Sequence, residues 1–318
     1  MGKSSNNAWW APGVRTYLRS RSGAMARLLR YPMPGSAPWR RTHLEVARNG
    51  GIGDVLLCTP ALRELKRKNP VCHVRFYTEH AVLVRGLPYI DQVLEFADRP
   101  TDSIYLRYED DLPPRAHFAK IIGDNLKLDV QDPRPDCIID AKLVAAFQAS
   151  WQQLPRPHII VQRRASRWTP NKDWPMEYWI ALMRSLSRKA TVLEIGSKNP
   201  APAIDLENYV DLRGQPLEQF VAAIAAGDIL VGPPSGPSHV AAAAGTPAVI
   251  ITGGYELPKN SAYASSIALH TTTPCSPCWL KEPCPYQLKC LAAIVPATVE
   301  DAVWKVLARH ERAARTTL

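Results

Sequence analysis

Two short stretches hold the residues best suited to chemistry. The first is Val231-Gly-Pro-Pro-Ser-Gly-Pro-Ser-His239-Val-Ala-Ala-Ala-Ala-Gly-Thr-Pro247. It reads as a strand ending at Val231, a turn with little side-chain bulk, and a short Ala-rich helix. Such a junction aims unpaired backbone N–H groups and the positive end of a helix dipole at one point, which suits nucleotide phosphates. Ser235, Gly236, Ser238 and His239 sit at that point, and the two hydroxyls and the imidazole add polar groups to it. The stretch lacks the Gly-Lys-Ser ending of a P-loop and the Gly-x-Gly-x-x-Gly spacing of a dinucleotide site. The second stretch is Asn49-Gly-Gly-Ile-Gly-Asp54. Its glycines Gly50, Gly51 and Gly53 serve either a tight turn or a close backbone approach to a ligand. Asp54, at the start of the following helix, is placed to accept backbone N–H bonds.

A third group is the cysteine set Cys275-x2-Cys278-x5-Cys284-x5-Cys290, interleaved with prolines at 274, 277, 283 and 285. In a reducing compartment such a cluster points to metal rather than disulfides. Four thiolates suit a structural zinc or iron with no open coordination position; reduced thiols in a surface loop are the alternative. Cys58, Cys72 and Cys137 lie in apolar settings and read as small buried side chains. Arg115 and His117, on a loop leading into a helix, can meet an anionic acceptor or simply face solvent.

These groups must be positioned by regular elements. Strands are predicted at 44–48, 73–77, 92–95, 137–139, 158–162, 191–195, 229–231 and 248–252. Helices are predicted at 55–68, from Phe118 through Leu126, around Trp179 to Leu186, at 217–226 and at about 298–310. The alternation of strand and helix argues for parallel sheets covered by helices. Two similar strand–turn–helix junctions, well over a hundred residues apart, argue for two α/β units with a ligand cleft between them. Pro155-Arg-Pro157 marks the linker. The expected organisation is therefore an arm at 1–43, a first Rossmann-like domain at 44–157, and a second at 158–318 that carries the cysteine cluster at 275–290.

Charge is concentrated at the front. The net charge is +10, and eight lysines and arginines precede the first acidic residue, Glu45. Trp9, Trp10, Tyr17, Trp39 and several aliphatic residues are mixed among them. Arginine interleaved with aromatic side chains suits an anionic membrane surface, while a loosely ordered solubilising tail or an organelle transit peptide are alternatives. The charge does not extend into the folded body, so nucleic acid is not an expected partner. No apolar run is long enough to span a bilayer and the front lacks a secretory signal pattern, so a cytoplasmic location, peripheral at the inner membrane face, is expected.

The segment Gly51-Ile-Gly-Asp-Val-Leu-Leu-Cys-Thr-Pro-Ala-Leu-Arg-Glu-Leu-Lys66 resembles the opening motif of the family 9 glycosyltransferases, the ADP-heptose:lipopolysaccharide heptosyltransferase family. Gly236-Pro-Ser-His239 with the Ala-rich run to Pro247 resembles its donor-site motif. Thr169-Pro-Asn-Lys172-Asp-Trp-Pro175 is similar to its Lys-x-Trp-Pro element. The resemblance spans about residues 44–310. It implies a GT-B fold, with acceptor on the first domain (Gly51, Gly53) and nucleotide-diphosphate sugar on the second. It implies inverting transfer of heptose or a related sugar to an envelope glycan such as the lipopolysaccharide core. By the same resemblance Asp54 is the general base, Lys172 binds the diphosphate, and Ser235, Gly236, Ser238 and His239 form the donor loop.

Catalysis without a metal cofactor is implied too, and the chain has no Asp-x-Asp pair. Cysteine-rich segments in protein-modifying members of the family bind iron, which makes a protein (autotransporter-type) acceptor the alternative. One position departs from the family. The acidic residue expected directly before the Ser-Gly of the donor loop is Pro234 here. Proline supplies neither a carboxylate nor an N–H. Either another nucleotide-sugar is used, the sugar is held from elsewhere, or the chain is a non-catalytic binding subunit.

Overall fold

The computed structural model of the chain describes residues 37–110, 112–165, 168–197 and 204–316. Most of the basic arm, residues 1–36, lies outside the described residues, and so does its expected membrane contact. Two sheets form, both wholly parallel in their pairings. The first contains β1 (His43–Ala47), β2 (His73–Tyr77), β3 (Gln92–Leu94) and β4 (Ile104–Tyr105) in the order β3-β2-β1-β4. The second contains β5 (His158–Val161), β6 (Thr191–Glu194), β7 (Tyr209–Asp211), β8 (Ile229–Gly232), β9 (Ala248–Gly253) and β10 (Ser266–His270) in the order β10-β9-β8-β5-β6-β7. The inner strands β5, β6, β8 and β9 are buried along their whole lengths. Covered on both faces, β5, β8 and β9 carry runs of consecutive apolar residues rather than alternating ones, while β6 also buries Thr191 and Glu194 at its ends.

The principal helices are α1 (Ile52–Leu56), α2 (Thr59–Lys68), α3 (Phe118–Asn125), α4 (Ala141–Ser150), α5 (Met176–Ser187), α6 (Leu217–Ala226), α7 (Gly236–Ala244) and α8 (Pro296–Thr316). The single helix expected over 55–68 is divided between α1 and α2. Pro60 cannot donate to the carbonyl of Leu56. The Thr59 hydroxyl donates to that carbonyl instead, at 2.7 Å, and the chain turns a corner there. Leu62 and Leu65 of α2 are fully buried against the first sheet's core, worth about 1.5–3 kcal/mol each. Among the described residues no helix is long and apolar enough to cross a membrane.

The strand expected at 137–139 does not form. Ile138 donates one backbone bond, 2.8 Å, to the Leu83 carbonyl in a turn, and β4 completes the sheet in its place. β7, β10 and α4 were not anticipated. α4 precedes β5 in the chain yet packs against α6 of the second unit.

Candidate active site

The two units meet where α1 and α7 begin. A Cβ built on Gly53 would lie 2.7 Å from Cδ2 of His239 and 3.3 Å from the Gly236 Cα, and one on Gly236 would lie 2.2 Å from Cγ1 of Ile52. Only glycine fits at either position, which explains both glycines by close approach rather than by turn geometry. Asn260 adds a second tie across the units, donating to the Pro114 and Ala116 carbonyls at 2.9 and 3.0 Å. Beside this seam opens a cleft of about 1350 Å³, lined by Gly51, Gly53 and Asp54 on one wall and by Lys172, Ser235, Gly236 and His239 on the other.

Asp54 is the third residue of α1. Its Oδ2 accepts the Gly51 amide at 2.7 Å, so the capping role is real. Its Oδ1 accepts from the Tyr108 hydroxyl at 3.0 Å and lies 2.8 Å from Nη2 of Arg48. Arg48 is buried at 1% exposure and also grips Glu109 through both terminal nitrogens. Burial opposes that guanidinium charge. The hydrogen bonds to Glu109 and the charges of Asp54 and Glu109 outweigh it, and Arg48 is held above its ordinary range. Tyr108 is raised well above its ordinary value by burial and by Asp54, so it stays a neutral donor. The carboxylate keeps an edge of 24% exposure toward the cleft. Among these contacts Oδ2 is engaged only by the Gly51 amide, which leaves it a lone pair for an incoming hydroxyl.

The donor-loop residues divide. Ser235 is the N-cap residue of α7, and its hydroxyl donates to Gln162 Oε1 at 2.6 Å. His239 is buried, and its Nδ1 lies 2.6 Å from the Tyr263 hydroxyl. Burial, with the nearby charges of His117 and Lys172, pushes its pKa down to about 3, so the ring is neutral. The Ser238 hydroxyl turns inward to the Ser235 carbonyl at 2.6 Å and does not line the cleft. Lys172 ends a short turn, Pro170–Lys172, whose Asn171 side chain is clamped to the cysteine loop. Asn171 Nδ2 donates to the Leu280 and Glu282 carbonyls at 3.0 and 2.7 Å, and its Oδ1 accepts the Cys284 amide at 2.9 Å. Lys172 Nζ sits 2.8 Å from the buried Glu256 and 3.3 Å from the Pro234 carbonyl, with the Tyr255 ring 4.8 Å away. A carboxylate therefore does stand beside Pro234, but it comes from after β9.

Two expected acceptor residues lie elsewhere. His117 is the N-cap of α3, where Nδ1 accepts the Ala119 amide at 3.3 Å, and it is buried behind the cleft against Tyr263. Arg115 pairs with Asp124 on the surface. Neither lines the cleft. Cys275, Cys278 and Cys284 lie in one loop and Cys290 in the short helix Lys289–Ala292 that follows, and the thiol of Cys278, raised first by burial, also feels those of Cys275, Cys290 and Cys284. Among the described residues, however, no three metal-binding side chains form a group that could hold an ion. Trp279 of this loop lines the cleft and bridges Phe118 of the first unit and Tyr255 of the second, with ring centroids 5.8 and 5.0 Å away.

Sequence reasoning missed Arg48, Tyr108, Glu109, Glu256 and Trp279. Arg48 had one legible signal, an arginine directly after the apolar end of β1 and just before a glycine turn. Tyr108, Glu109, Glu256 and Trp279 come from loops whose return to the cleft is set by tertiary packing.

Comparison with known proteins agrees with this arrangement. The sequence model of glycosyltransferase family 9 (heptosyltransferase) matches residues 116–289, more than half of the chain. A family 9 glycosyl transferase from Veillonella parvula DSM 2008 has a similar structure, with a TM-score of 0.66 and 19% identity over 84% of this chain and 97% of that one. The iron-containing dodecameric glycosyltransferase TibC from enterotoxigenic E. coli H10407 gives 0.63 and 19% identity over 83% and 78%. The E. coli ADP-heptose lps heptosyltransferase II gives 0.63 and 15% identity over 84% and 100%. No curated protein matches the chain. With two parallel-sheet α/β units facing one cleft in a GT-B fold and the family match across the seam, the chain belongs to glycosyltransferase family 9, the heptosyltransferases, and is a glycosyltransferase.

Proposed function

We propose that the chain transfers heptose or a related sugar from a nucleotide-diphosphate donor to an envelope glycan such as the lipopolysaccharide core, with inversion and without a catalytic metal. One observation carries this reading: the Asp54 carboxylate and the start of α7 line the same cleft, on opposite sides of the Gly53–Gly236 contact. TibC, similar in fold, has been solved with ADP-D-beta-D-heptose. In the proposed step Asp54 Oδ2 takes the proton of an acceptor hydroxyl. The freed oxygen pair bonds to the anomeric carbon from the face opposite the diphosphate, and the bond from that carbon to the diphosphate oxygen breaks. The leaving charge is received by the positive end of the α7 dipole, where Pro237 has no N–H and the Ser238 amide already donates to the Ser235 carbonyl at 3.0 Å, and by Lys172, positioned in advance of the reaction. Tyr108 and Arg48 hold Asp54 in place. His239, neutral and bonded to Tyr263, packs the seam and sets the distance between the walls. Glu256, which lines the cleft near Pro234, supplies the carboxylate that Pro234 does not.

The same proposal places the enzyme at the cytoplasmic face of the inner membrane, with residues 1–43 on anionic lipid. It also includes a structural iron or zinc at Cys275, Cys278, Cys284 and Cys290. The described loop does not gather three of these thiols at one centre, so binding would require it to contract; metal analysis of the protein as purified decides this. A nucleotide-sugar thermal-shift screen tests the central reading. Stabilisation by one donor, followed by nucleotide release with a truncated glycan acceptor, supports it. Release with a protein acceptor alone would establish the protein-modifying alternative, and stabilisation without turnover a binding subunit.

A further inference from the structure

Among the described residues, five lysine and arginine side chains line the cleft: Arg48, Arg163, Arg164, Lys172 and Arg213. Four of them already touch a carboxylate. Arg48 meets Asp54 and Glu109, Arg163 Nε lies 2.7 Å from Glu194, Lys172 lies 2.8 Å from Glu256, and Arg213 lies 2.8 Å from Asp211. Arg164 is exposed and makes no ion pair with any described carboxylate. Asp173 feels its charge without contacting it, and burial holds the Asp173 carboxyl above its ordinary range against that charge.

The position of Arg164 gives this surplus charge a purpose. It lies just past β5, two residues beyond Gln162. That glutamine's amide donates to Val231 at the end of β8 at 2.9 Å, and its side chain accepts the Ser235 hydroxyl at the start of α7. Arg164 therefore leaves the same strand edge from which α7 begins. A diphosphate brings more than one negative charge to this place. The helix start supplies the equivalent of about half a positive charge, and Lys172 arrives with its charge already balanced by Glu256.

We propose that Arg164 is a donor-binding residue that engages the diphosphate, its planar fork spanning two phosphate oxygens. It thereby discriminates nucleoside diphosphates from monophosphates. This assignment rests on the transferase reading above.

Isothermal titration of the full chain with ADP, UDP, GDP and CDP, then with the monophosphate of whichever binds, tests it. Arg164→Ala weakens the diphosphate at least tenfold and the monophosphate less than threefold, flattens the salt dependence of diphosphate binding, and leaves the melting temperature unchanged. Arg164→Lys recovers part of the affinity. If Arg164→Ala binds the diphosphate as tightly as the natural chain, or loses both nucleotides equally, the assignment of Arg164 is overturned while the transferase reading stands. If the natural chain binds none of the four, both fall together.

Discussion

Arg48 Nη2 lies 2.8 Å from Asp54 Oδ1 while the same buried guanidinium holds Glu109, so one cation orients two carboxylates at the mouth of the cleft. Asp54 thus closes the first turn of α1 while its carboxylate faces the cleft, the place of its proposed role as base. Asp54→Asn separates the two roles, because the amide oxygen can still accept from Gly51. The expected result is a loss of about 10²–10⁴ in kcat with donor affinity and melting temperature nearly unchanged. Steady-state kinetics beside calorimetry checks it; a variant retaining full turnover would remove Asp54 from the chemistry.

Arg48→Met leaves Asp54 and Glu109 facing each other without their shared cation. A loss of about 1.5–3 kcal/mol is expected, that of charge-assisted hydrogen bonds, because the carboxylates left behind are 24% and 35% exposed. Chemical denaturation measures it, and Arg48→Lys recovers only part because it cannot grip two carboxylates with a planar fork.

Lys172 and Glu256 form the corresponding pair on the opposite wall, at 16% and 1% exposure. Lys172→Met strands a buried carboxylate and is expected to cost about 3–5 kcal/mol. Adding Glu256→Gln should restore most of the stability but not donor binding. A double-mutant cycle reads both quantities, and simple additivity in stability would contradict the pairing.

Gly53→Ala drives a methyl into His239 across the seam. Overpacking of this kind costs about 1–3 kcal/mol. Because the strain falls between the units, the donor KM should rise as well. A Gly245→Ala variant, whose added carbon meets nothing within 4 Å, sits far from the seam and should leave KM alone.

Burial holds His117 down to about 4 and His239 to about 3. Between these values and the ordinary value near 6.5 the unfolded chain binds protons that the folded chain refuses. Stability is therefore full above about pH 6.5 and falls as the pH drops toward 4. His117→Gln should flatten this part of the curve, as followed by circular dichroism across pH 4–7.

The two halves of the molecule differ in how readily the sequence discloses them. Continuous apolar runs such as those of β5, β8 and β9 declare buried parallel strands, and the flanking glycines and prolines mark their ends. β4 has two residues and β10 is half-buried throughout, so neither leaves a periodic signal. At the site, Lys172, Ser235, Gly236, His239, Gly53 and Asp54 stand in local motifs, and all six line one cleft. Ser238 does not reach the cleft because its hydroxyl satisfies the helix's own first turn. Arg115 and His117 do not reach the cleft either, because the side a loop residue faces is set only by what packs on it. Glu256 and Trp279 are invisible in sequence for the same reason.

The grip of Asn171 on the cysteine loop makes these two distant segments a single heritable cassette. A loop taken from a relative and grafted over 275–290 would bring its own backbone carbonyls on a different path, out of register with Asn171, and the neighbouring lysine would drift. Engineers exchanging such loops to change specificity should therefore move the asparagine turn along with them.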